Sequence, residues 1–225
     1  ISEIYEFAFN NFYNDNGEKY IGEIKNGIKE GKGVFYYDKN DKDKRQRYEG
    51  EFKNDICEGK GILYWDTGNR YEGDFKNGKF EGKGIFYYHD NSKYKGDFRN
   101  NLKHGKGIYY YVNGIRYEGD WNNDKKEGKG ILYINNGDRY EGDFVNDKYE
   151  GKGIYYYNNG DRYDGEYKND VKEGKGIFYY NNGDRYEGEY KSDVKEGNGI
   201  MYYNNGKKEE GIWKNDKFHK RRKIN

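Results

Sequence analysis

The 225 residues include 42 basic and 41 acidic side chains, a net charge of +1, so no overall field draws in nucleic acid or an anionic membrane. Only 32% of the chain is hydrophobic and 37% is charged, which on composition alone predicts disorder; against that, 29 Tyr, 12 Phe and 3 Trp recur at fixed positions and supply large areas to bury. No apolar run reaches the ~18 residues of a membrane helix, the first residues lack the regions of a signal peptide, and the single Cys57 excludes an internal disulfide, which predicts a soluble, cytoplasmic chain.

Residues 1–19 read as a partial or irregular repeat, because NDNGEKY at 14–20 has the form of a repeat's end; the start at Ile1 predicts a piece of a longer protein. Eight repeats follow over 20–208. The first begins at Tyr20 and is lengthened by the insertion at 38–47, DKNDKDKRQR, which predicts a flexible protruding loop. From Tyr48 the starts fall 23 residues apart, at Tyr71, Tyr94, Tyr117, Tyr140, Tyr163 and Tyr186, each with glycine two positions later. Residues 209–225 hold an incomplete ninth repeat that keeps Gly211 and Trp213, then a basic tail expected to end the chain without a second strand.

Within one repeat, Tyr71 to Lys93, the first half Tyr71-Glu72-Gly73-Asp74-Phe75 alternates with the period of a strand. Lys76-Asn77-Gly78-Lys79 is a turn, and Gly82 to Tyr88 is a second strand that ends in another turn. Each repeat is therefore a β-hairpin. Numbering positions from the leading tyrosine, and closing the hairpin with a four-residue loop, positions 1, 3 and 5 share a face with 12, 14, 16 and 18. The acids of positions 2 and 4, the lysine of 13, and the Ile and Tyr of 15 and 17 take the other face. The fold class predicted is all-β: an elongated, single-layer antiparallel meander twisted into a ribbon roughly 80 Å long. Rings at positions 1 and 5 are expected to lie over the glycine backbone of the neighbouring strand. With one sheet and no covering layer, part of each ring is expected to stay exposed, giving a partner groove along Tyr71, Phe75, Tyr117, Trp121, Tyr140, Phe144, Tyr163 and Tyr167. The same rings are also the core, since nothing else supplies one.

The pattern Y-x-G-x-[FW]-x-N-x-x-x-E-G-x-G-x-x-x-Y, repeated every 23 residues over 20–213, closely resembles the MORN (membrane occupation and recognition nexus) repeat. The resemblance implies single-layer arrays of hairpins that serve as scaffolds in cytoskeletal, ciliary and membrane-contact proteins, often as elongated dimers, some with a partner helix in a groove. It also allows a regulatory segment of a larger enzyme.

Catalysis is not expected, because the acids are periodic whereas a catalytic pair needs a unique desolvated setting. His89, His104 and His219 fall in different repeats and phases, so no metal or cofactor site is expected. Glu-Gly-Lys-Gly lacks the ending of a phosphate loop. The function expected is a non-enzymatic scaffold for protein–protein interaction, cytoskeletal or at the membrane periphery, with a protein segment as partner and no nucleic acid. Homodimerisation is assigned to the end strands, at Tyr186, Tyr190 and Trp213. An alternative is a phosphoinositide-binding surface, with Lys220, Arg221, Arg222 and Lys223 contacting acidic phospholipid.

Overall fold

The computed structural model describes residues 10–13 and 17–221, and every described regular element is a β-strand. The chain divides between Val112 and Asn113 into two compact units. The first runs from β1 (Asn10–Tyr13) to β9 (Leu102–Tyr110), the second from β10 (Arg116–Asn122) to β19 (Lys217–Arg221). Within each unit, consecutive strands pair antiparallel, so each is the single-layer meander that the period predicts.

The hairpin of β6 (Arg70–Lys76) and β7 (Lys79–Tyr87) shows how the repeat is built. Lys76 pairs with Lys79, leaving a two-residue turn with Asn77 at φ 51° and Gly78 at φ 73°. Two consecutive left-handed residues match the twist of a hairpin, which is why Asn-Gly and Asn-Asp recur here. The expected four-residue loop is thus two residues long. Compensation comes at a bulge: between the pairs Phe75↔Phe80 and Gly73↔Gly84, Asp74 faces the three residues Glu81, Gly82 and Lys83. Both departures are even in number, so the assignment of side chains to faces is unchanged. Gly82, at φ +64°, makes the bulge, and a Cβ there would meet Asp74 Oδ2 at 3.0 Å.

The leading tyrosines form the core. Tyr48, Tyr71, Tyr94, Tyr117, Tyr140, Tyr163 and Tyr186 are 0% exposed. Tyr71 lies over Gly73 and Gly84, where an added Cβ would come within 2.5 Å of its hydroxyl oxygen, and that hydroxyl donates to Asp74 O at 3.0 Å. Glycine at positions 3 and 14 therefore makes room for a ring. Phe75 stands edge-on to Tyr71 at 5.2 Å and to Tyr48 of the preceding repeat at 4.9 Å, so each position-5 ring joins two repeats.

Two local expectations are corrected. The loop at 38–47 is pinned, not free: Arg45 donates from Nη2 to Asp41 Oδ1 at 2.7 Å and from Nε to Oδ2 at 3.1 Å, and its guanidinium sits 4.3 Å from the Tyr37 ring centre. The segment after Trp213 does form a second strand, β19, with Phe218 opposite Trp213 and an edge-on ring contact at 5.5 Å.

Candidate interaction surfaces

The eight rings predicted to line a groove are buried within the chain. Tyr71, Tyr117, Tyr140 and Tyr163 are fully covered, and Phe75, Trp121, Phe144 and Tyr167 are at most 5% exposed. Their expected partial exposure is thus corrected. The cover comes from the same face: position-5 rings cap position-1 rings, while positions 10, 16 and 18 close over both. Phe80 stacks on Tyr71, and Tyr149 on Tyr140, each at 3.7 Å.

The surface offered by this face is therefore a second tier, at positions 16 and 18. In the first unit, ring contacts run from Trp65 to Phe86 at 5.4 Å, on to Tyr88 at 4.6 Å, then Tyr109 at 5.6 Å and Tyr111 at 4.4 Å. The second unit has a zigzag of its own, with Tyr155, Tyr157, Phe178 and Tyr180 in contact at 4.6, 5.6 and 4.6 Å. All are half-buried. Their signal in the sequence was the aromatic pair straddling position 17, masked by the more regular tyrosine and glycine spacing.

Lysines at position 10 thread between the tiers. Lys172 Nζ lies 5.4 Å from the ring centres of Tyr163 and Phe178, and Lys195 Nζ 5.1 Å from Tyr186 and 5.2 Å from Tyr180. Burial pulls both ammonium groups below the usual lysine range, and nearby aspartates only partly offset it.

The opposite face is polar and ordered. Arg70, Arg116, Arg139 and Arg162 lie over Tyr87, Tyr133, Tyr156 and Tyr179 at 4.1–4.2 Å from each ring centre. The position-13 lysines reach across to position 4 of the next repeat: Lys60 to Asp74 at 2.5 Å, and Lys83 to Asp97 and Lys129 to Asp143 at 2.6 Å. In the second unit this face holds a depression of 580 Å³, running from Lys152 to Asn198 past Asp164, Glu166, Lys175 and Glu189.

Tyr186, Tyr190 and Trp213, assigned to self-association, are buried on interior strands β16 (Arg185–Lys191) and β18 (Lys208–Lys214), each paired on both sides. That placement is corrected, because neither strand has an unpaired edge; among the described residues, β19 pairs with β18. Of the four basic residues assigned to lipid, Lys220 is exposed on β19 and Arg221 ends that strand, while Arg222 and Lys223 lie outside the described residues. Among the described residues, no group of His, Cys, Asp or Glu has the arrangement to hold a metal, and no helix is long and apolar enough to cross a membrane.

Comparison with known proteins agrees with the repeat reading. A family model for the MORN repeat matches residues 20–42, 48–70, 71–93, 94–116, 117–139, 140–162, 163–185, 186–208 and 210–219. No curated protein matches the sequence. Among solved structures, the TCP10 domain of Danio rerio CPAP aligns with a TM-score of 0.51 at 10% identity, over 90% of this chain and 94% of that one. The SAS-4 TCP domain of Drosophila melanogaster, solved with a proline-rich motif of Ana2, aligns with a TM-score of 0.45 at 16% identity, over 69% of this chain and 85% of that one. The first likeness is one of fold.

Proposed function

The chain belongs to the MORN repeat family, and on that premise we propose that it is a non-enzymatic scaffold that seats a protein segment along its zigzag of half-exposed rings. The ring ladder is the observation that carries this reading. Rows of aromatic side chains left half-open to solvent mark interaction surfaces, and Tyr and Trp dominate the binding energy of protein interfaces. The repeats that carry these rings offer the same kind of contact on a fixed framework, so little ordering cost falls on the scaffold when a partner binds. Such an array suits an organiser in the cytoplasm, at the cytoskeleton or the membrane periphery.

Peptide display against the purified chain tests it. Selected peptides should bind the wild-type chain and lose at least about tenfold in affinity to Tyr157→Ser/Tyr180→Ser, a deficit of about 1.4 kcal/mol, while far-UV circular dichroism shows the fold retained. Enrichment of no peptide, or equal binding to the variant, refutes the reading. Self-association at β19 is a second reading, since among the described residues that strand pairs with β18 alone. Light scattering should then find a dimer that becomes monomeric when Phe218 is replaced by proline, which removes a backbone donor from that strand.

A further inference from the structure

We propose that the depression on the polar face of the second unit is a separate binding subsite for a protein segment whose acidic and basic side chains alternate at the spacing of the strands. The inference extends the scaffold reading to the face opposite the ring ladder, and it rests on a regularity in the cross-strand ion pairs. Where position 4 is aspartate, the lysine opposite it is held, as in Lys60–Asp74, Lys83–Asp97 and Lys129–Asp143. Where position 4 is glutamate, the same register places Lys32 opposite Glu51, Lys152 opposite Glu166 and Lys175 opposite Glu189, and none of these three forms an ion pair among the described residues.

One methylene accounts for the difference. Both side chains lie over the bulge glycine of their own repeat, but the longer one reaches further: Asp74 Oδ2 stands 3.0 Å from the Cβ direction of Gly82, whereas Glu166 Oε2 crowds that of Gly174 and Glu189 Oε2 that of Gly197 more closely. Glu189 Oε2 accepts from Asn198 N at 2.9 Å, as Asp74 Oδ2 does from Lys83 N at 3.1 Å, but whereas Asp74 Oδ1 still meets the lysine opposite, neither oxygen of Glu189 pairs with Lys175 among the described residues. Lys152 and Lys175 are left with their charges directed at solvent, and the 580 Å³ depression opens at this place, on β13 (Lys148–Tyr156) to β17 (Val194–Tyr202).

Successive strands there present Lys152, Glu166, Lys175 and Glu189, alternating in sign about 4.8 Å apart, with like charges about 9.6 Å apart. A purely acidic partner would be repelled by Glu166, Glu189 and Asp164. A purely basic one would meet Lys152 and Lys175. Glu187 faces the same depression but is held by Arg185 Nε at 2.8 Å. Complementarity therefore selects a partner of alternating charge, and such patterns set register and exclude wrong partners.

The probe is a labelled synthetic peptide with Glu and Lys alternating every three to four residues, a helical spacing of about 5–6 Å, measured by fluorescence anisotropy at low salt. It should bind the full chain more tightly than all-Glu or all-Lys peptides of equal length. Glu166→Asp/Glu189→Asp conserves charge and recreates the paired geometry of the other repeats. It should weaken binding about tenfold without lowering the thermal midpoint, and Lys152→Ala/Lys175→Ala should do the same. No binding to the wild-type chain, equal binding by a single-sign peptide, or unchanged affinity in the Glu→Asp variant overturns the proposal. Because Tyr157→Ser/Tyr180→Ser lies on the other face, it should leave this peptide's affinity unchanged, so the two surfaces fail or stand separately.

Discussion

Among the described residues, two phenols in the core have hydroxyls without a hydrogen-bond partner. Tyr167 and Tyr190 occupy position 5, are 5% exposed, and their oxygens are fully buried without a partner. The equivalent residues are Ile24, Phe52, Phe75, Phe98 and Phe144, which carry no polar side-chain atom, and Trp121 and Trp213, of which the latter donates from Nε1 to Gly199 O at 3.2 Å. A buried hydroxyl left unsatisfied costs about 1–3 kcal/mol, while removing one oxygen from a ring that keeps its edge-on contacts with Tyr163 and Tyr140 costs little. Tyr167→Phe and Tyr190→Phe should therefore each stabilise the chain by about 1 kcal/mol, raising the thermal midpoint by about 2–4 °C. The control is the same chemical change four residues earlier on the same strand. Tyr163 donates its hydroxyl to Glu166 O at 3.1 Å, so Tyr163→Phe should lower the midpoint by a similar amount. Scanning calorimetry on the three variants decides the matter. If Tyr167→Phe destabilises as much as Tyr163→Phe, the buried oxygen is satisfied and the accounting is wrong.

Adding a methyl at Gly176, under the Tyr163 ring, should cost about 3 kcal/mol or more, since the ring is fixed by its neighbours, whereas Gly206→Ala meets open space and should cost only the roughly 1–2 kcal/mol of its left-handed backbone; urea titration compares them. Burial pushes the phenols of Tyr149, Tyr157 and Tyr180 up to about 12. Unfolded tyrosine ionises near pH 10, so the folded chain holds more protons above that pH; stability is full below about 10 and falls as pH rises. Phenolate absorbance should then rise together with loss of the fold, not ahead of it. Hydrogen bonds from Arg45 lower the Asp41 carboxyl to about 2, so the pairing persists above the usual carboxylate range and is lost as pH falls through that value. Asp41→Asn should speed amide exchange across 38–47 while leaving the global midpoint in place.

The strands and faces were legible because a fixed period repeats every test of the pattern eight times. The tyrosine-over-glycine packing was legible too, since glycine in a strand needs a reason and the ring at position 1 supplied it. Register was not. A two-residue turn with a bulge and a four-residue loop without one give the same alternation of faces, and the two differ only through the left-handed conformations of Asn77, Gly78 and Gly82. Nor was the depth of burial legible. Treating a single sheet as uncovered overlooked that side chains on one face can lie in two tiers, with Phe75 closing over Tyr71 and Phe80 over both.

That second tier changes where a partner can act. A leading tyrosine that fills the space above two glycines cannot also yield to a ligand without exposing backbone, so those residues set the shape of the array and contribute little to what it recognises. In the proposed readings, recognition falls to side chains the period constrains less: position 18, which holds Trp65, Tyr88, Tyr111, Tyr157 and Tyr180, and position 4, where Asp143 gives way to Glu166 and Glu189. An aspartate and a glutamate are equivalent to a repeat pattern, yet one holds its lysine across the sheet and the other releases it. On the two proposed binding surfaces, specificity is therefore carried by the substitutions the repeat tolerates, and rigidity by those it does not.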